Sequence, residues 1–114
     1  MDVLLRLQKW YADQCDGDWE HQYGVHVGML DNPGWQVDID LTDTDLEGRA
    51  FAELAEGLGE TGHQENPRWI RCWVNDGMWQ GRSDETLLAR QLLLFLEWAA
   101  ADEAPDVSPG CSNA

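Results

Sequence analysis

The residues best suited to chemistry lie in the string CDGDWEH, which runs from Cys15 to His21. A thiol nucleophile with His21 as its base, and Asp18 as the group that orients the base, is a chemically coherent set. The surrounding carboxylates oppose it, because negative neighbours raise the pKa of a thiol and the nucleophile must be a thiolate. Cys15 is therefore a slow nucleophile unless a protonated His21 lies beside it, and we predict no catalytic residue.

A calcium site is the first metal alternative for the same segment. Asp16, Asp18 and Glu20 alternate like the opening of a calcium-binding helix-loop-helix. Such a loop needs Gly at its sixth position and Glu at its twelfth, and those positions hold His21 and Val27. The pattern therefore disfavours calcium.

A zinc site is the second metal alternative. Its ligands would be Cys15, His21 and Cys72, whose spacing does not match the paired short loops of zinc motifs. A fourth ligand would have to come from a nearby acid or imidazole, namely Asp16, Asp18 or His26. We expect no metal ion and no other cofactor.

Acidic residues dominate the first half of the chain. Between Trp10 and Gly48 there are ten carboxylates and no Lys or Arg, and the whole chain carries a formal charge of −15. Self-repulsion destabilises such a domain, so the charge indicates a need for solubility or a positively charged partner. Nucleic acids and anionic membranes are poor ligands, because binding them requires Lys and Arg. We expect a basic protein partner, with some of the seven Trp at the interface.

The N-terminal segment and the cysteines indicate a cytoplasmic protein. The first fifteen residues lack the basic start and continuous apolar stretch of a signal peptide, and no segment approaches the roughly 20 apolar residues of a membrane span. The three cysteines show no paired spacing, which favours reduced thiols. We expect Cys15 and Cys72 to be small buried side chains.

The first half of the chain predicts a helix followed by a hairpin. Residues 2–14 carry an apolar stripe of helical period, formed by Val3, Leu4, Leu7, Trp10 and Tyr11. Asp16-Gly17-Asp18 ends the helix. Two alternating strands follow, and their inward residues are Tyr23, Val25, Val27 and Met29, then Trp35, Val37, Ile39 and Leu41. Asn32-Pro33-Gly34 is typical of a type II turn with positive φ at Gly34.

The second half predicts another hairpin and a second helix. Residues 69–75 and 78–82 flank Asp76-Gly77, a strong type I′ turn signal. Ser83 or Asp84 can cap the last helix, whose apolar stripe comprises Leu87, Leu88, Gln91, Leu92, Phe95, Trp98 and Ala99. Residues 43–67 show no decisive period.

These elements predict an α+β domain with a four- or five-stranded antiparallel sheet and both helices packed on one face of it. A single core over residues 1–100 is expected from the length. Residues 101–114 are rich in Pro and poor in apolar groups, which predicts a disordered tail that contains Cys111.

Two strings, CDGDWEH and LDNPGW, resemble the immunity protein 53 family of bacterial polymorphic-toxin systems. The resemblance spans residues 4–98, and its motif residues are Cys15, Asp16, Gly17, Asp18, Trp19, Glu20, His21, Asp31, Asn32, Pro33, Gly34 and Trp35. It implies an immunity-type domain that binds and neutralises a toxin made by the same cell. It also implies a further strand around residues 50–54, ahead of a variable loop. The segment from Gly48 to Arg68 departs from the family pattern, which leaves the identity of the toxin open.

The residues expected to meet a toxin are mainly acids: Asp16, Asp18, Trp19, Glu20, Asp38, Asp40, Asp43 and Asp45. Strand alternation predicts that Asp38 and Asp40 face solvent and are dispensable for folding. A competing structural explanation for CDGDWEH is a tight turn fixed by its acids, with Trp19 filling the core. Two other functions stay open. One is a small metal- or ligand-binding enzyme using Cys15, His21 and the adjacent carboxylates, and the other is an acidic adaptor without a toxin.

Overall fold

The protein is represented by a computed structural model that describes residues 2–31, 33–58 and 67–101. Within these ranges the elements are α1 (Val3–Gln14), α2 (Trp19–Gln22), β1 (Val25–Leu30), β2 (Gly34–Asp40), β3 (Leu54–Glu56), β4 (Ile70–Asn75), β5 (Met78–Ser83) and α3 (Leu88–Ala100). The strands form an antiparallel sheet in the order β1-β2-β5-β4-β3. The α+β prediction is confirmed. Beyond Ala101, the predicted tail lies outside the described residues.

One face of the sheet carries the core, and α3 packs directly on it. Val37 and Ile39 of β2, and Leu41 just after it, are buried there, as the alternation predicts. Trp79 of β5 meets Phe95 of α3 edge-on, with ring centroids 5.5 Å apart. The other buried apolar residues are Trp19, Leu46, Ile70, Cys72, Leu92 and Leu96.

Helix α1 forms as predicted but buries less of its apolar stripe. Val3, Leu7 and Trp10 pack against the core, whereas Leu4 and Tyr11 are 56% and 40% exposed. The reason is that α1 packs mainly on α3 rather than on the sheet. The expectation that the whole stripe contacts the core was therefore wrong for Leu4 and Tyr11.

Strand β1 has the predicted orientation but not the predicted burial. Val27 lies opposite Val37 and Met29 lies opposite Trp35, so both side chains point to the helix side of the sheet. They are nevertheless 45% and 70% exposed. Because β1 is an edge strand, the helices leave its helix-side residues uncovered.

The two hairpins differ in how well their turns were predicted. Asp76 and Gly77 have φ values of 53° and 75°, so the type I′ prediction is confirmed. Gly34 has no positive φ and is already part of β2, so the expected type II turn was wrong. Gly is required there because a Cβ would clash with the carbonyl oxygen of Ser83 on the neighbouring strand. Asn32 lies outside the described residues.

Three further details depart from the expectations. The strand expected around residues 50–54 is β3, which begins at Leu54. A short helix, α2, follows the first turn before the chain becomes extended. Neither Ser83 nor Asp84 caps α3, because its N-cap residue is Leu87. Asp84 is instead buried and accepts hydrogen bonds from the backbone N–H groups of Trp69 and Thr86.

Candidate functional site

The CDGDWEH segment forms a self-contained turn between α1 and α2. The carboxylate of Glu20 accepts hydrogen bonds from the backbone N–H groups of Asp16 and Gly17, at 3.0 and 2.9 Å. Asp16 Oδ1 accepts from the N–H groups of Asp18 and Trp19, both at 2.9 Å. Gly17 has a φ of 97°, which favours glycine. The segment therefore forms the tight turn, fixed by its acids, that the structural explanation predicts.

Backbone donors also fix the charge state of this turn. The hydrogen bond from the Trp19 N–H, followed by that from Asp18, holds the pKa of Asp16 below its ordinary value. Backbone N–H groups, its own first, hold the pKa of Glu20 below its ordinary value as well. Both side chains therefore stay ionised around neutral pH.

Trp19 joins this turn to the loop that follows β2. Its indole is buried, and its Nε1 donates to the carbonyl oxygen of Thr42 at 2.9 Å. The ring also packs edge-on against Trp10 and Tyr11, with centroids 6.0 and 6.1 Å away. Trp19 therefore positions two acidic loops side by side.

The loop after β2 is held in an equally definite shape. Asp43 has a φ of 64°, and its N–H donates to the carboxylate of Glu47 at 3.0 Å. Leu46 is buried and anchors the loop to the core. The side chains of Asp43 and Asp45 stay exposed.

Two more contacts bring further carboxylates to the same end of the sheet. Asp40 Oδ2 accepts from the N–H of Gly24 at 2.9 Å. The N–H of Leu41 donates to the carbonyl of Gly77 at 2.8 Å, which places the Asp76 hairpin beside the loop after β2. We name this region the acidic end and define it by Asp16, Asp18, Glu20, Asp40, Asp43, Asp45, Glu47 and Asp76.

The acidic end lacks compensating cations. Among the described residues, no Lys or Arg side chain lies within 4.0 Å of its carboxylates. Between pairs of described residues, the basic side chains instead bind acids outside it, in the ion pairs Arg6–Glu97, Lys9–Asp13, Arg68–Asp84, Arg71–Glu53, Arg82–Asp38 and Arg90–Glu56. Arg49 donates to the carbonyl groups of Trp98 and Ala101. The acidic end therefore presents concentrated negative charge.

A cleft of about 310 Å³ opens between α1 and the loop after β2 at this end. Asp13, Asp43 and Asp45 line it, together with Trp10 and Gln14. The cleft combines three carboxylates with the apolar indole of Trp10, a lining that suits the charged end and the aliphatic stem of a Lys or Arg side chain.

Asp38 departs from the expectation of a free, solvent-facing carboxylate. Its Oδ1 accepts from Arg82 at 3.1 Å and from Gln80 at 3.3 Å, and its side chain is only 16% exposed. Asp40 is likewise engaged, by Gly24. Because each carboxylate satisfies neighbouring donors, these contacts count against the prediction that both residues are dispensable for folding.

The LDNPGW segment lies at the opposite end of β2 from the acidic end. Trp35 Nε1 donates to the carbonyl oxygen of Glu85 at 3.1 Å, and Gly34 lets β5 approach closely. Asp31 and Pro33 are exposed at the hairpin tip. The two recognised strings therefore occupy separate places in the fold.

The thiols have different surroundings. Cys15 is exposed, contrary to expectation, and its Sγ donates to the carbonyl of Tyr11 at 3.3 Å. No hydrogen bond joins Cys15 to His21 within the part of the chain that the structure describes. Cys72 is buried as predicted, and burial raises the pKa of its thiol to about 12.

Metal-ligating side chains are scattered in the described ranges. There, no three His, Cys, Asp or Glu side chains are grouped so that they could hold a metal ion. Likewise, no described helix is long and apolar enough to cross a membrane.

Sequence reasoning located most of the acidic end but missed two of its members as site residues. Glu47 belongs to the run of acids from Asp43 but is not among the predicted contact residues, and Asp76 is predicted only as a turn residue. The turn residues Asp76 and Gly77 were the available signal for Asp76. The turn that they form and the loop after β2 lie at the same end of the antiparallel sheet.

The fold and the acidic end together define a small acidic α+β protein whose negative charge is concentrated at one end of its sheet. The family model of immunity protein 53 matches residues 4–100, and the chain belongs to that family. No curated protein and no solved structure matches the chain.

Proposed function

We propose that this immunity protein acts in the bacterial cytoplasm, where it binds a basic domain of a cognate polymorphic toxin and neutralises it. Family membership supports an immunity role and therefore a toxin partner. The proposed action is binding rather than catalysis. The hydrogen bond from Cys15 to the Tyr11 carbonyl supports this, since it engages the thiol away from His21.

The observation that carries the proposal is the uncompensated charge of the acidic end. Most of the Lys and Arg side chains form ion pairs elsewhere in the fold. The negative potential of the protein is therefore concentrated on the acidic end. A concentrated potential steers an oppositely charged partner and raises the rate of encounter. A basic toxin surface is the complementary partner.

The carboxylates of the acidic end divide into two roles in this proposal. Asp16, Glu20 and Asp40 bind backbone N–H groups and hold the loops, and buried Trp19 ties the loops together. Asp18, Asp43 and Asp45 are exposed and make no such side-chain bonds with described residues. We propose that these three carboxylates bind the cations of the toxin, whereas Asp38 stabilises the sheet through its contacts with β5.

Binding to the toxin domain encoded by the adjacent gene tests the proposal. An inactive form of that domain should bind the wild-type protein, and the affinity should fall as salt rises beyond about 0.15 M, where the Debye length is about 8 Å. The variant carrying Asp43→Asn and Asp45→Asn should associate roughly tenfold more slowly, because steering charge is lost. Asn also tolerates the positive φ of residue 43.

A matched control separates the acidic end from total charge. Ala52→Lys with Ala55→Lys changes the net charge by the same two units, at exposed positions in and beside β3. This control should associate nearly as fast as the wild type. Equal slowing in both variants would contradict a role for the acidic end. Failure of the wild type to bind the toxin domain, or to protect cells that express it, would contradict the proposed function.

A further inference from the structure

The outer edge of β1 offers unpaired backbone groups. The N–H of Asp40 donates to the carbonyl of Gly24 at 3.0 Å, and Gly24 lies opposite Asp40 in the register. Hydrogen-bonded pairs alternate along an antiparallel ladder, so His26 and Gly28 also bond to β2. The N–H and C=O groups of the residues between them, Val25, Val27 and Met29, therefore point away from the sheet.

This edge lacks the devices that usually protect an edge strand. Natural edges are blunted by charges, Pro, bulges or short length. β1 pairs with β2 over six consecutive residues without a bulge and contains no Lys, Arg, Asp, Glu or Pro. The opposite edge, β3, has only three residues. Glu53, just before it, pairs with Arg71, and Glu56, its last residue, pairs with Arg90. The β3 edge is therefore short and carries ion pairs, whereas the β1 edge is longer and uncharged.

An apolar groove runs beside the unprotected edge. It has a volume of about 360 Å³, and Leu7 and Tyr11 of α1 face Tyr23 and Val25 across it. Leu4 precedes Leu7 by three residues, so it extends the same face of α1. Val27 and Met29, further along β1, are exposed on the helix side of the sheet and add apolar surface to this edge. Backbone groups and apolar contacts are therefore available at one place.

We propose that the edge of β1 receives an extended segment of the toxin domain as an added strand. Its alternate apolar side chains would enter the groove under α1, and its Lys or Arg residues would reach the carboxylates at either end of β1. Those carboxylates are Asp31 beyond Leu30 and the acidic end beyond Gly24. Main-chain hydrogen bonds supply affinity in this mode of recognition, and alternate side chains supply specificity.

Charge selects this occupant over a second copy of the chain. Two copies would bring net charges of −15 together, whereas a basic segment relieves the repulsion. The inference rests on the proposed function, because it assigns a surface and a conformation to the toxin contact. It adds that part of the contact is backbone to backbone.

Residue-resolved amide exchange of the free and bound protein is the direct test, with the inactive toxin domain encoded by the adjacent gene as the probe. In the free protein, the amides of His26 and Gly28 should exchange slowly, and those of Val25, Val27 and Met29 should exchange fast. Binding should slow the second set by roughly tenfold or more and leave the first set nearly unchanged. Contact through side chains alone would not slow the amides of Val25, Val27 and Met29 while leaving those of His26 and Gly28 unchanged.

Met29→Glu provides a second test, because Met29 is 70% exposed and its replacement should leave the fold intact. Added negative charge favours a basic partner, yet loss of the apolar contact should weaken binding about tenfold, which corresponds to about 1.4 kcal/mol. The matched control is Ala55→Glu, which places the same charge on the opposite edge and should bind like the wild type.

The outcomes separate the two proposals. Absence of toxin binding by the wild type overturns the proposed function. Wild-type binding that survives Met29→Glu, without alternating amide protection, overturns the edge proposal and leaves the proposed function standing. Sedimentation of the free chain tests the other possible occupant of the edge, a second copy of the chain. A dimer that Met29→Glu dissociates would overturn the proposal of a toxin segment in favour of that copy.

Discussion

The indole N–H of Trp19 donates to the carbonyl oxygen of Thr42 at 2.9 Å, and this bond joins two loops that are 23 residues apart in the chain. The first loop is shaped by Asp16 and Glu20, and the second by Asp43 and Glu47. Each loop satisfies its own backbone, so neither requires the other for its shape. The bond from Trp19 ties the two loops to each other, and it therefore helps to set the spacing of the exposed carboxylates.

Trp19→Phe should therefore reduce both stability and toxin binding. The substitution keeps an aromatic ring in the core but removes the donor to Thr42, and a lost hydrogen bond of this kind costs about 1 kcal/mol. Trp19→Ala should cost about 3–5 kcal/mol, because it also leaves a cavity. Urea-induced unfolding monitored by circular dichroism measures the loss of stability in each variant.

Trp73→Phe is the control for this prediction. Trp73 lies on the outer face of the sheet between Arg71 and Arg82, and its indole N–H makes no hydrogen bond with another described residue. Phe can keep the cation–π contacts, so the loss should stay below about 0.5 kcal/mol. Equal losses at positions 19 and 73 would mean that the bond to Thr42 contributes nothing specific.

Asp38→Lys should destabilise the fold by about 1–3 kcal/mol, because it removes the acceptor of Arg82 and Gln80 and places a cation beside Arg82. Asp45→Lys should instead leave stability unchanged or slightly raised, since it relieves repulsion in an acidic loop. Thermal melts of the two variants decide the matter. Adding Arg82→Glu to Asp38→Lys restores opposite charges and should recover part of the loss. A stable Asp38→Lys protein would show that the ion pair is dispensable.

The elements that sequence reasoning predicted well depend on local chemistry. The apolar stripe of α3, the alternation of β2 and the positive φ values at Asp76 and Gly77 all follow from residues close together in the chain. The turn within CDGDWEH is local too, because Glu20 reaches back only four residues to Asp16.

The features that were missed depend on distant residues. Val27 has the alternation of a buried strand residue, and only the strand order places it at an uncovered edge. From the sequence, Asp38 is expected to be a free surface acid. Its partner, Arg82, lies 44 residues later in the chain. The acidic end likewise depends on tertiary contacts, such as Trp19 with Thr42, that have no pattern along the chain.

Asp84 should make stability depend on acid pH. Burial raises the pKa of this carboxyl, but hydrogen bonds from Thr86 and Trp69 and the charge of Arg68 more than offset burial, so the pKa lies below its ordinary value of 3.8. The lowered pKa stabilises the fold in full above that ordinary value. The stabilisation is lost as the pH falls through the folded-state pKa. Urea melts at pH 7 and at several values below 4 measure it.

Asp84→Asn separates this carboxyl from the other acids of the chain. Asn keeps the size but loses one acceptor oxygen and the charge, so it should cost about 1–3 kcal/mol at pH 7. Its stability should then fall less steeply below pH 4 than that of the wild type, because one linked proton is gone. An unchanged slope would assign the acid sensitivity to other carboxyls.

Gly34→Ala should destabilise the pairing of β2 with β5. A Cβ at this position would clash with the carbonyl oxygen of Ser83, which is backbone and cannot rotate away. Overpacking of this kind costs about 1–3 kcal/mol. Gly28→Ala on β1 is the control, because its Cβ would meet only the flexible side chain of Gln36 at 3.5 Å. That variant should be neutral or more stable by about 0.5 kcal/mol, since the unfolded chain loses conformational freedom. If urea unfolding shows that Gly34→Ala is also neutral, the close approach of β5 is not what requires glycine there.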